Sequence, residues 1–156
     1  MTKTFTIAPV RKTITVNVSQ ARAFDVFTNG IDRWWPTGHG VGATPVTKSV
    51  IEPRLGGRWY TLHEGGEEVT VGTIRVWEPP FRIVFSWQIN ASWKPDATVA
   101  SEVEVTFTPQ GPNTTRVDLE HRDFEVMGQE SGEKMRSDVN GGWPGILEHY
   151  KVEAER

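Results

Sequence analysis

The sequence predicts an α+β fold: a curved antiparallel sheet of six to seven strands wrapped around a long C-terminal helix, with two short helices after the first strand. Three observations carry this prediction. Residues 46–122 keep a period-two apolar pattern, interrupted by short connections rich in turn residues. Residues 135–154 place their apolar side chains on one helical stripe. The chain also opens with an alternating run that passes directly into helical spacing.

Taken in order, RKTITVNV (11–18) sets Ile14, Val16 and Val18 on one face and Thr13, Thr15 and Asn17 on the other, as a half-buried strand requires. Ser19 is an N-cap for SQARAFDVFTNG, where Ala23, Phe24, Val26 and Phe27 recur at helical spacing until Asn29-Gly30 stops the helix. IDRWWP reads as one helical turn ended by Pro36. Strands follow at 46–52, 57–63, 67–77, 81–90, 101–108 and 114–122. Their connections, PRLG, EGG, EPP and PQGPN, carry turn chemistry at close spacing, so successive strands are antiparallel neighbours in a meander. Val103, Val105 and Phe107 alternate with Glu102, Glu104 and Thr106, and Val117, Leu119 and His121 with Arg116, Asp118 and Glu120, giving one wet face and one covered face. The cover is the C-terminal helix, whose stripe holds Met135, Val139, Trp143, Ile146, Leu147, Tyr150 and Ala154, with Glu148, Lys151 and Glu153 off it. Gly141, Gly142 and Pro144 predict a bend or broken turn in that helix.

Residues 1–156 fit a single domain, long enough to bury a core without covalent staples. The absence of cysteine removes disulfides and thiolate chemistry and points to a cytoplasmic home. No apolar run is long enough to span a bilayer, and a net charge of −3 with scattered Lys and Arg offers no basic stripe for nucleic acid.

The segments RWWPTGH, IEPRLGGRWY, GTIRVWEPPFRIVFSWQI, SEVEVTFTP, TRVDLEHRDFE and GGWPGILE follow one another in an order that resembles the START/Bet v-like superfamily known as SRPBCC. Within it, the chain is most similar to the branch named after the activator of heat shock protein 90 ATPase. The resemblance spans about residues 11–150. It implies a helix-grip architecture with a cavity between the concave sheet and the C-terminal helix, its mouth near the loop after the first helices.

Seven tryptophans in so short a chain exceed ordinary packing needs and are economically explained by an aromatic cavity wall. The expected wall comprises Trp35, His39, Trp59, Trp87, Phe107, His121, Trp143 and Leu147. Of the adjacent Trp34 and Trp35, at least one is expected to anchor the helix–loop segment, with the other at the cavity mouth. Trp77 is expected to pin its hairpin. Trp143, at the predicted bend, is expected to border open space, so its truncation should cost only about 1–2 kcal/mol. GHGVG lacks the preceding strand and following helix of a phosphate loop. His39 has no metal partner at usable spacing, because His63, His121 and His149 lie in separate elements. His63 reads as a hairpin-tip residue. No metal and no cofactor are expected. His121 continues the buried face of Val117 and Leu119, where desolvation favours the neutral ring.

These residues favour a carrier or sensor that binds a small apolar or amphipathic molecule. The alternative is an enzyme of the cyclase, dehydratase or hydrolase type, with His121 as acid or base assisted by Tyr60 or Arg58. A second alternative is a co-chaperone of a heat shock ATPase. In the eukaryotic activators, however, the resembling domain follows a separate N-terminal domain, whereas this chain begins almost at its first strand. The expected partner is the small ligand, with no nucleic acid and no membrane span, and a homodimer stays open.

Overall fold

The computed structural model describes residues 5–36 and 42–156. Strand β1 (Val10–Val16) leads into helices α1 (Gln20–Thr28) and α2 (Ile31–Trp34). Then come β2 (Val46–Ile51), β3 (Arg58–His63), β4 (Glu68–Glu78), β5 (Arg82–Trp87), β6 (Ser101–Gly111), β7 (Thr114–Arg122) and helix α3 (Gln129–Ala154). The seven strands form one antiparallel sheet in the order β1-β7-β6-β5-β4-β3-β2. The meander from β2 to β7 is as expected, and β1 completes it by pairing with the last strand, from Val10 opposite His121 to Val16 opposite Thr115. The result is a half-barrel that curls around α3.

Two register shifts mark where the sheet bends, one at Trp59/Tyr60 between β3 and β4 and one at Ile74/Val76 between β4 and β5. Gly72 lies between them, opposite Trp59. A Cβ on Gly72 would fall 1.7 Å from the Ser86 carbonyl oxygen, so only glycine allows the backbones to approach this closely. On β3 the interior face carries Trp59, Thr61 and His63.

Period-two alternation divides the sheet. On β6 and β7 the interior positions Ser101, Val103, Val105, Phe107, Thr115, Val117, Leu119 and His121 are buried. The outer positions carry a cross-strand charge ladder, in which Arg122 bonds Glu102 and Glu104 at 2.6 Å each and Arg82 bonds Glu104 and Glu78. Burial acts to raise the carboxyls of Glu102 and Glu104, but the guanidiniums of Arg75 and Arg122 on the first, and of Arg122 and Arg82 on the second, outweigh it and hold both below the usual carboxylate range. This ladder keeps the outer face wet and commits the apolar set to the inside.

Ser19 caps α1 by accepting from the Arg22 amide at 3.3 Å. Ala23, Phe24, Val26 and Phe27 then point into the core. Three bonds fasten the short helices: Trp34 Nε1 donates to the Val26 carbonyl at 2.8 Å, the Tyr150 hydroxyl to the Ala23 carbonyl at 2.7 Å, and Arg33 pairs with Glu153 at 2.9 Å. Glu153, expected off the stripe, is therefore buried, with Arg33 and Arg156 as its partners.

The expected broken turn in α3 does not occur. The helix runs for 26 residues through Gly141, Gly142 and Pro144. Pro144 and Asn140, whose carbonyl loses its intrahelical donor, are both on the exposed side, where solvent can satisfy such a carbonyl. The buried stripe is the predicted one, from Met135 to Ala154.

Because the curl depends on Gly72, Gly72→Ala is expected to lower stability by more than about 3 kcal/mol through backbone overlap. Urea unfolding measures it, and a loss under about 1 kcal/mol, the range of a simple glycine propensity effect, would contradict the close approach.

Candidate functional site

The interior faces of β3, β5 and β7 and the buried stripe of α3 converge on a group of aromatic rings. Pro36 forces Trp35 out of the helical region, and the extended Trp35 backbone turns its ring onto Trp59 at 4.8 Å and toward Trp143 at 6.1 Å. Trp59 in turn meets Phe85 at 5.0 Å and Trp87 at 5.9 Å, and Trp87 meets His121 at 5.3 Å and Trp143 at 5.8 Å. Most of these contacts are edge-to-face, the arrangement ring quadrupoles favour.

His121 joins this seam to the sheet. An indole nitrogen only donates, so the 3.2 Å contact runs from Trp143 Nε1–H to His121 Nδ1. Nδ1 is therefore unprotonated and the ring proton resides on Nε2, which donates to Ser101 Oγ at 2.9 Å. The ring is fully buried and stacks on Phe124 at 4.7 Å. Burial pushes its pKa down to about 3, so the imidazole is neutral. Both nitrogens are occupied, and Ser101, having accepted, keeps its own O–H to donate.

Trp35, Trp59, Trp87, His121 and Trp143 are thus brought together, and Leu147 is buried one turn along α3 from Trp143. Phe107 is drawn instead to the α1 end, against Phe24 at 5.2 Å and Phe27 at 5.7 Å. His39, and with it the loop expected to form the mouth, lies outside the described residues. Trp34 is the anchor of the pair, wedged between Phe27 and Tyr150, while Trp77 packs on Phe24.

Arg58 and Tyr60, expected to assist His121, lie on the opposite sheet face. They alternate with the buried Trp59 and Thr61, and the guanidinium of Arg58 covers the Tyr60 ring at 4.2 Å while bonding Glu68. His63 ends β3 at the hairpin tip before Glu64–Gly66, as expected, and is buried there. Its Nδ1 donates to the Thr44 carbonyl at 2.6 Å and its Nε2 accepts from the Thr61 hydroxyl at 2.8 Å, which ties the segment before β2 to β3. The alternation of positions 59, 61 and 63 was the signal that could have placed it.

Trp93 was not singled out by the sequence. With a left-handed backbone (φ 59°) it lays its edge on Trp87 at 6.3 Å and donates to Asp138 on α3 at 3.0 Å. Lys134 binds the same carboxylate and the Ala91 carbonyl, strapping the β5–β6 connection to α3.

One imbalance remains in the seam. Trp59 and Trp87 are 1% and 3% exposed, and neither indole N–H has a hydrogen-bond partner. Among the described residues, no three His, Asp or Glu gather as a metal site.

Two predictions follow from this geometry. Trp143 is 2% exposed and bonded through its indole nitrogen, so the sequence-based figure is corrected upward: Trp143→Ala is expected to cost about 3–5 kcal/mol in denaturant melts, and a loss near 1 kcal/mol would show that the ring borders open space after all. For His121 the folded pKa lies below the unfolded one of about 6.5. Its contribution to stability is complete above pH 6.5 and is lost as pH falls toward 3, by about 1.4 kcal/mol per pH unit. Between pH 7 and 4.5 the wild type should therefore lose stability faster than His121→Gln, and parallel pH profiles would contradict the assignment.

The comparisons fit this architecture. The family described as Activator of Hsp90 ATPase homolog 1-like protein matches residues 17–155. The anthrahydroquino-gamma-pyrone synthase Txn09, solved as a complex with SUM, is 34% identical, with 94% of this chain and 97% of that one covered at a TM-score of 0.66. CalC from Micromonospora echinospora, described as a self-sacrificing resistance protein, is 32% identical, with coverage of 94% and 93% and a TM-score of 0.69. CalU16 from the same organism, at 22% identity, TM-score 0.63 and coverage of 94% and 75%, shares the fold. No curated protein matches the sequence. No helix among the described residues is long and apolar enough to cross a membrane. On the strength of the family match, which runs from the end of β1 to the end of α3, the chain belongs to the Activator of Hsp90 ATPase homolog 1-like family.

Proposed function

We propose that this chain binds a small apolar or amphipathic molecule between the concave sheet and α3, as a carrier or sensor. The observation that carries the reading is the convergence of Trp35, Trp59, Trp87 and Trp143 on one buried locus where the polar groups are hydrogen-bond donors rather than an acid–base pair. Aromatic walls with a few fixed polar groups are how small-molecule sites combine burial with orientation.

A second reading has one specific support, the 34% identity to Txn09, described as an anthrahydroquino-gamma-pyrone synthase. In that reading the same chamber would fold a flexible substrate and hold reacting carbons together, a contribution that needs no titrating side chain. His121 fits this as a positioning residue. Both its nitrogens are bonded and its charged form is disfavoured, so it orients Trp143 and Ser101 and does not shuttle protons. The co-chaperone reading has only the family description behind it.

Native mass spectrometry of the protein purified from its own host, followed by titration of the emptied protein with the recovered molecule under tryptophan fluorescence, tests the proposal. The expected outcome is a reproducible small mass that rebinds saturably at one equivalent and quenches emission. Recovery of the molecule unchanged supports a carrier, and its conversion supports the enzyme. No retained mass, together with no quenching by a panel of polycyclic aromatics, would contradict a binding function.

A further inference from the structure

We propose that the indole N–H groups of Trp59 and Trp87, with the Ser101 hydroxyl, form a donor subsite for the carbonyl or quinone oxygen of a neutral, planar aromatic ligand. This rests on the chamber reading above and adds the chemistry that the chamber recognises. A buried N–H without an acceptor carries its full desolvation cost, and native interiors rarely tolerate one. Here two occur in adjacent rings, 5.9 Å apart, both more than nine-tenths buried. Three of the other indoles are paired, Trp34 with the Val26 carbonyl, Trp143 with His121 and Trp93 with Asp138, whereas Trp35 and Trp77 make no such bond to a described residue but their nitrogens are not among the fully buried unsatisfied atoms. The two that are both unpaired and fully buried at the nitrogen are those at the centre of the seam.

The neighbouring polar groups agree in sign. Ser101 stands directly across from Trp87 in the β5–β6 register, and its oxygen already accepts from His121, which leaves the hydroxyl proton to donate. His121 Nδ1, an acceptor beside these groups, is taken by Trp143. The buried groups left without a partner are donors, and the complementary ligand group is an oxygen with free lone pairs. Charge narrows the class further. Among the described residues the buried carboxylate is Glu153, paired with Arg33 and Arg156, and no lysine or arginine is buried. A carboxylate or phosphate entering the seam would meet no countercharge, whereas a carbonyl needs none. The edge-to-face rings around it supply faces and edges for a flat arene.

The test compares fluorenone with fluorene, which share a tricyclic frame and differ by one carbonyl. Calorimetric titration should find fluorenone bound about five- to tenfold more tightly, the ratio that one net hydrogen bond produces. In ¹H–¹⁵N spectra of the wild-type protein, the Trp59 and Trp87 indole resonances should move downfield with fluorenone and not with fluorene. Trp59→Phe and Trp87→Phe keep a ring while removing the donor, and together they should erase the preference. Equal affinities with unmoved indole resonances would refute the subsite while leaving the chamber intact. Tighter binding of fluorene-9-carboxylate than of fluorenone would refute the neutral class. Binding of neither tricycle would remove the chamber reading and this proposal with it. The wild-type spectra decide the matter even if a Phe variant fails to fold.

Discussion

The interior of this protein is organised around one neutral imidazole. His121 accepts from Trp143 on α3 and donates to Ser101 on β6, while its own backbone belongs to β7. One side chain thus joins the covering helix to two strands, and its face stacks on Phe124 in the turn that leads into that helix. The arrangement works only for the neutral ring in one tautomer. A second ring proton would displace Trp143 and place an uncompensated charge among aromatic rings, which is why burial holds the pKa so low. The same polar chain that fixes the helix also occupies both imidazole nitrogens.

The second constraint is the curl of the sheet. A flat sheet could not bring Trp59 on β3, Trp87 on β5 and Trp143 on α3 into one contact chain. The bulges flanking Gly72 provide that curvature, and the outer charge ladder prevents the alternation from slipping to the other face. Aromatic area then accumulates where helix and sheet meet, and the binding reading rests on that accumulation.

Much of this was legible in the sequence because strong alternation leaves little freedom. The strands appear within a few residues of their expected bounds, and the stripe from Met135 to Ala154 named the buried face of α3. What escaped was set by tertiary geometry. Pro144 leaves the helix unbroken because the Asn140 carbonyl that loses its donor is exposed, a circumstance that local propensity does not encode. Gly72 reads as one glycine among 15, and only its approach to Ser86 reveals its role. Arg58 and Tyr60 were grouped with His121 by chemistry, although β3 alternation already assigned them to the other face. Phe107 shares its strand face with the site but lies at the opposite end of it, and alternation gives the face without the position along the sheet.

The central claim is that His121 is a fixed neutral strut within a seam of packed aromatic rings. The imidazole ¹⁵N spectrum of His121, recorded from pH 8 down to 4.5, tests it most directly. The account predicts a pyridine-type Nδ1 and a pyrrole-type Nε2 throughout that range, with no titration. Titration near the ordinary histidine value, or a proton resident on Nδ1, would contradict it.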